Sequence, residues 1–288
     1  MTAVSLTFIL AAAIAHATWN LHAKRAGAAA GPAFLWLFGV GSVVLYLPVV
    51  AAFLAWTKPS LDLSIAVFIL GSGGLHLGYF SLLQRGYRKG DLSVVYPLAR
   101  GTGPLLSSFG AVVLLDERPG LYGWVGIGLA SGGVLVLAAA ADPANRGGTW
   151  GTAAHGLGAG VFIALYTLWD RQAVAVAGIA PLLMTWSSDL ARVALLGPRV
   201  ARDWATVRDT WRSYRREVLA VAVLSPLAYM LVLSALTVAP VSAVAPAREV
   251  SVVLGVLLGS HVLAERHLAP RLASATAIAL GVIMITLN

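Results

Sequence analysis

Cysteine is absent from the 288 residues, and charged side chains make up only 11% of them. The first absence excludes disulfide scaffolds and cysteine-based metal or redox sites. The second excludes most soluble architectures, whose domains carry about 25% charged residues. Acidic groups are scarcer still, with 12 Asp+Glu against 20 Lys+Arg and a formal net charge of +8. The motifs of soluble catalysis are missing as well. There is no HExxH, no Walker A sequence, no G-x-S-x-G elbow and no carboxylate cluster suited to a metal. Gly156-Leu-Gly-Ala-Gly160 lacks the preceding strand that a dinucleotide site requires. No cofactor, metal or nucleic-acid partner is expected.

Apolar residues are abundant instead: 59% of the chain is hydrophobic, and the mean hydropathy is +0.83. That composition belongs to a polytopic membrane protein, whose unit is a bilayer span of roughly 20 apolar residues. Spans are expected at roughly 4–22, 32–56, 64–83, 92–115, 119–141, 150–168, 179–198, 217–238, 241–263 and 270–287. Runs of this length with internal Gly and Pro are helical; barrel strands would alternate over about 10 residues. The first run has neither a basic leader nor a convincing cleavage site, so it is expected to be a retained span. Arg199–Glu217, with six arginines and two tryptophans, reads as a short helix lying at a membrane face.

The chain repeats itself. Ser93-Val-Val-Tyr-Pro97-Leu-Ala-Arg100 matches Ser242-Ala-Val-Ala-Pro246-Ala-Arg248. Arg100 and Glu117 are 17 residues apart, as are Arg248 and Glu265, and Gly133-Val-Leu-Val matches Gly281-Val-Ile-Met. Trp19-Asn20…Lys24 lines up with Tyr166-Thr167…Arg171 at an offset of 147. The unit is therefore five spans, and an odd number forces the second copy to enter the membrane upside down. The expected fold is all-α: ten transmembrane helices as two inverted five-helix repeats, 1–145 and 146–288. Inverted repeats place a shared pocket near mid-membrane and permit two opposite-facing states, the logic of secondary transporters.

These features resemble the EamA-type drug/metabolite transporters. They comprise five-plus-five spans, Trp19-Asn20 with Lys24 in span 1, mid-span Pro97 and Pro246, and Leu-Asp-Glu117 and Ala-Glu265 closing spans 4 and 9. Within that superfamily the chain looks most like the YddG-type bacterial amino-acid exporters. The resemblance implies export of small metabolites, commonly amino acids, through a cavity lined by spans 1, 3, 4, 6, 8 and 9 of an inner-membrane protein. One departure stands out: many members carry an arginine in span 2, and Gly31–Phe53 has none.

Intramembrane polar groups need a partner, water or a function. His16, Trp19 and Asn20 share one helical face, where Trp19 could stack on a substrate and Asn20 bond an α-amino-carboxylate. The bland reading is lipid-belt duty for Trp19 and helix–helix bonding for Asn20. His76, Tyr79 and Phe80 recur at helical spacing in span 3; Phe80 corresponds to Tyr229, and His76 to Ser225, in the second copy. Pro97 and Pro246 are expected to kink spans 4 and 9 and free a carbonyl about one turn earlier. Ser93, Tyr96, Arg100, Ser242 and Arg248 cluster around those kinks. An arginine there could clamp a carboxylate in bidentate fashion, or form a structural ion pair with Glu249. Tyr166 and Trp169 come from span 6. Asp189 and Arg192, at i and i+3, most simply neutralise each other. A coupling proton is the one further partner expected, with Asp189 or Glu249 to carry it. Glu117 and Glu265 are expected to cap or anchor adjoining turns. Trp19, Asn20, His76, Tyr79, Tyr96 and Tyr229 are expected to face one aqueous cavity.

The reading is an exporter of amino acids, aromatic or bulky apolar ones included, or of similar metabolites. The alternatives are a membrane-embedded enzyme on a lipid-linked substrate and a passive channel. Orientation stays open. Fourteen basic residues fall in loops after odd-numbered spans and three after even-numbered ones. That count puts both termini outside, whereas the resemblance implies both inside.

Overall fold

The computed structural model describes residues 1–26, 31–59, 63–89, 92–139, 150–254 and 268–287. All regular elements among them are helical: α1 (Ala3–Ala26), α2 (Pro32–Thr57), α3 (Leu63–Lys89), α4 (Leu92–Leu115), α5 (Leu121–Ala139), α6 (Trp150–Ala175), α7 (Pro181–Val200), α8 (Trp204–Val238), α9 (Val241–Ala247) and α10 (Leu268–Thr286). A 24-residue helix is about 36 Å long, enough for the roughly 30 Å hydrocarbon core. Five stretches among the described residues are long and apolar enough to cross a bilayer, one of them running through both α7 and α8. Trp56, Leu63, Leu70 and Leu114 stand on the outer surface, at 90%, 81%, 73% and 70% exposure. On a soluble protein such a surface would aggregate; facing lipid it is the stable arrangement.

Local chemistry sets the ends. Pro32 and Pro181 begin α2 and α7, where a missing N–H costs nothing. Lys58, at φ 41°, closes α2 by donating its N–H to Leu54 O at 3.0 Å. Gly178 supplies a φ of 68° in the turn between α6 and α7. The 201–203 turn leads into α8, whose N-cap is Asp203. Thr206 donates to it from its hydroxyl at 2.6 Å and its amide at 3.2 Å. Those bonds, the hydroxyl's first, hold the Asp203 carboxyl below the usual carboxylate range.

Cross-helix contacts give the direction of each neighbour. Phe68 meets Trp169 while His76 meets Tyr166, so α3 and α6 run antiparallel. Helices α4 and α6 run parallel, with Gly103 on Ile163 and Gly110 on Leu168. Helices α2 and α8 are parallel too: Ser42 donates to Ala222 O at 2.9 Å and Tyr46 to Val223 O at 2.8 Å. Helices α2 and α7 are antiparallel and clasp each other reciprocally. Trp36 Nε1 donates to Val193 O at 3.2 Å, and Trp186 Nε1 donates to Val43 O at 3.0 Å. Helices α5 and α10 meet backbone to backbone. A Cβ on Gly126 would lie 2.6 Å from Gly281 O, and one on Gly133 would lie 2.9 Å from Ser274 O. Only glycine permits that approach. The most extensive interfaces join α4 to α6, α5 to α10, α1 to α8 and α3 to α6.

Three local features bear on the expected spans. Within the arginine-rich segment, residues 204–213 form a short helical stretch of their own, as expected, set off from span 8 by the non-helical Tyr214 (φ −128°, ψ 26°). Span 9 is not continuous: α9 stops at Ala247, Arg248 and Glu249 form a turn, and helix resumes over 250–254. Helix α4 runs unbroken through Pro97, so a proline alone does not decide where these spans break. Pro246 is followed by i→i+3 bonds, Glu249 N to Pro246 O and Ser251 N to Arg248 O, both 3.1 Å. The 145/146 boundary and Glu265 lie outside the described residues. Gly156 and Gly160 pack against α4, whereas a Cβ added to Gly128 or Gly132 would meet nothing within 4 Å.

Candidate functional site

The break in span 9 gathers charge in the interior. Glu249 is fully buried, and its Oε2 lies 3.1 Å from an Arg100 guanidinium nitrogen of α4. The same guanidinium donates to Ser251 Oγ at 3.3 Å. Arg248 approaches Glu249 only to 3.8 Å, and its buried Nε has no hydrogen-bond partner among the described residues. Arg248 also lies close enough to Tyr166 of α6 to act on its hydroxyl. Arg100 thus holds the glutamate more closely than Arg248 does. His16 on α1 lies within the fields of both arginines and holds Trp19 edge-on, with ring centroids 4.9 Å apart.

Next to Tyr166 is an aromatic set drawn from three helices. His76 stacks on Tyr166 with centroids 4.2 Å apart and an interplanar angle of 21°. Tyr229 of α8 stands edge-on to His76 at 5.5 Å and to Tyr166 at 6.3 Å. Tyr79 is edge-on to Tyr166 at 6.0 Å. The spacing has a cause: Gly78 lets Phe162 close against α3, and Gly71 does the same for Trp169, drawing α3 and α6 together over a long seam. Such edge-to-face sets add about 0.5–1.5 kcal/mol per pair beyond burial. His76 Nδ1 is bonded to Ser72 O at 2.9 Å, and Ser72 Oγ lies 3.3 Å from Ser188 Oγ of α7.

Beyond the rings lies a carboxylate that is not among the candidates drawn from sequence. Asp170 is fully buried and accepts a hydrogen bond from the Tyr229 hydroxyl. An end of span 6 at 168 leaves Asp170 in a loop; α6 instead continues to Ala175. The available signal is its i+4 spacing from Tyr166, which puts both on one face. The arginine layer is level with Gly160, which packs on Thr102. Ten residues on, about 15 Å along the helix, is Asp170. The interior is therefore layered: arginines and Glu249, then aromatic rings, then Asp170.

The remaining expected residues fall elsewhere. Asn20 Nδ2 donates to His16 O of its own helix at 2.7 Å. Trp19 packs with Phe34, Phe38, Val218 and Val221, at the α1–α2–α8 seam rather than among the α3–α6 rings. Ser242 sits at the start of α9, where its N–H and that of Val241 each donate to a Glu117 carboxylate oxygen at 2.8 Å. Glu117 is thus a cap, as its span-end position suggests, but for a helix of the other half. Pro246 is buried at the end of α9. Tyr96 and Pro97 lie on α4 with side chains outside the described set. Asp189 pairs with Arg192 at 2.7 Å, and Arg192 covers the Phe38 ring at 5.5 Å. Among the described residues no group of His, Asp and Glu could hold a metal ion.

A bundle of apolar helices enclosing polar, partly charged layers is a multi-pass membrane protein. Residues 3–139, just under half of the chain, match the EamA-like transporter family, so the first half is similar to a family of small-solute membrane transporters. No curated protein matches it significantly. Among solved structures 29 chains match. One, described only as a crystal structure of a protein, superposes over 100% of this chain and 98% of its own with a TM-score of 0.75 at 17% identity. That likeness is one of fold.

Proposed function

We propose that the protein exports amino acids, with aromatic and bulky apolar ones favoured, or metabolites of similar shape, across the inner membrane by alternating access. The observation that carries this reading is Arg248, whose buried Nε has no hydrogen-bond partner among the described residues and only a long 3.8 Å approach to Glu249, next to Tyr166 and its ring neighbours. Arg248 would take the substrate carboxylate in a charge-assisted pair. The rings of His76, Tyr79, Tyr166 and Tyr229 would take the apolar end. Trp19 and Asn20 would contribute from α1, Tyr96 from α4 and Ser242 from the start of α9 as the pocket changes shape. A YddG-type specificity agrees with this division of labour.

Alternating access would rest on two inverted five-helix repeats, 1–145 and 146–288. Matching positions exchange partners in support of it. Gly126 and Gly133 align with Ser274 and Gly281, and the contacts are Gly126 with Gly281 and Gly133 with Ser274. Trp36 and Val43 align in the same way with Trp186 and Val193, and each tryptophan bonds the other's valine carbonyl. The α1–α8 interface likewise pairs with the α3–α6 interface. The turn at Pro246–Glu249 would be the hinge, with Pro97 its unbroken counterpart. No cofactor takes part.

Cells overexpressing the protein should tolerate higher concentrations of toxic apolar analogues such as fluorophenylalanine, and Arg248→Gln should abolish that tolerance. Unchanged tolerance across a panel of toxic amino-acid analogues would contradict the reading.

A further inference from the structure

We propose that Asp170 is the coupling-proton site of this transporter: Oδ1 takes up and releases one proton while Oδ2 stays bonded to the Tyr229 hydroxyl. The proposal rests on the transport reading above and adds to it the energy source and its residue. A buried carboxylate normally has a cation or a full set of donors. The other two buried carboxylates among the described residues obey that rule, since Asp189 has Arg192 at 2.7 Å and Glu249 has Arg100 at 3.1 Å. Asp170 does not. It is fully buried, forms no ion pair among the described residues, and its Oδ1 has no hydrogen-bond partner there.

The groups facing it are few. From α3 come His76, the one cation-capable side chain coupled to Asp170 among the described residues, and the Ser72 hydroxyl; from α8 comes Tyr229. From α7, Asp189 and Arg192 act on His76 while paired to each other. Arg100 of α4 and Arg248 of span 9 act on Tyr166, one helical turn away, and on Glu249. Arg171, next along α6, makes no ion pair with Asp170 among the described residues.

Charge on an unpaired carboxylate in a low-dielectric interior is costly, and one proton removes the cost. The chemistry balances as carboxylate plus proton giving carboxylic acid, with no other bond changed. Position turns this into coupling. Tyr229 touches both Asp170 and the ring set proposed for substrate, so proton and solute compete for the orientation of one phenol. Differential binding to two states of one element is what linkage between two ligands requires. His76 and Ser72 give the proton a route along α3, through Ser72 Oγ at 3.3 Å from His76 Nδ1.

The test uses the full chain in liposomes with labelled phenylalanine. Wild type should exchange phenylalanine and also accumulate it against a gradient when a pH difference is imposed. Asp170→Asn should keep exchange within about twofold and lose the pH-driven accumulation. Accumulation retained by Asp170→Asn, or a wild type that exchanges without responding to pH, overturns the proton site and leaves the exporter reading standing. Absence of any wild-type exchange removes the exporter reading, and infrared spectroscopy then decides the proton site. A pH-dependent carboxylic-acid C=O band present in wild type and missing from Asp170→Asn supports it; identical bands overturn it. If Asp170→Asn does not fold, Tyr229→Phe serves in its place, and a band whose pH midpoint is unaffected by loss of the hydroxyl overturns the assignment.

Discussion

Arg100 and Glu249, 149 residues apart in sequence, form a buried ion pair at 3.1 Å across the two halves of the chain. In the repeat Arg100 aligns with Arg248, so two equivalent arginines converge on one glutamate. That glutamate has Gly101 as its counterpart in the first copy. Removing one partner of such a pair strands a buried charge and costs about 3–5 kcal/mol. Arg100→Gln should therefore lower the unfolding temperature in detergent markedly. Arg100→Gln combined with Glu249→Gln should recover most of the loss. A single change as harmless as the double one would show that the pair carries no structural load.

Glu117 should matter through α9 rather than through α4, the helix it follows. Its two oxygens each accept a backbone N–H at 2.8 Å, satisfying two of the donors that a helix start leaves open. Glu117→Ala should cost about 1–2 kcal/mol and speed hydrogen exchange at Val241 and Ser242. Glu117→Gln, which keeps an acceptor, should fall between. Exchange at those two amides unchanged in Glu117→Ala would contradict the capping role.

The reciprocal tryptophan bonds across α2 and α7 predict additive losses. Trp36→Phe and Trp186→Phe each keep an aromatic ring and remove one N–H donor, at about 1 kcal/mol apiece. The two sites are about 10 Å apart along the helices, far enough for the double variant to lose the sum. Thermal unfolding of the three variants measures this. A double variant no worse than either single one would mean that the bonds do not act as independent clasps.

The basic residues predict the sidedness. Arg199, Arg202, Arg208 and Arg212 lie together at the α7–α8 connection, a density that resists translocation. A phosphatase fused after Asn288 should therefore be active, and a fluorescent protein at the same place dark. The reverse pattern would put both termini in the cytoplasm and leave the helix contacts untouched.

The helices are legible in the sequence because a bilayer imposes one length on every span, and α2, α3, α4 and α7 begin and end within two or three residues of expectation, apart from the longer tail of α3. Polar residues near span ends are not. Asp170 reads as a loop residue because Trp169-Asp170-Arg171 looks like the edge of an apolar run, whereas packing against α3 and α8 carries α6 two turns further. Trp19 and Asn20 carry the right chemistry on the right helix, yet local bonds and the α2–α8 seam occupy them in this conformation. Period and composition report which face of a helix is polar. They do not report which neighbour that face meets. His76, Tyr79, Tyr166 and Tyr229 come together only through the antiparallel register of α3 on α6, set by glycines whose partners are distant in sequence.

Counterflow tests the central claim most directly. Purified protein in liposomes loaded with unlabelled phenylalanine should take up labelled phenylalanine transiently above its external level, with a rate that saturates. Alanine should compete more weakly than leucine, and phenylethylamine, which lacks the carboxylate, should not compete. Flux that rises linearly with concentration and shows no acceleration by internal phenylalanine would contradict an alternating-access carrier.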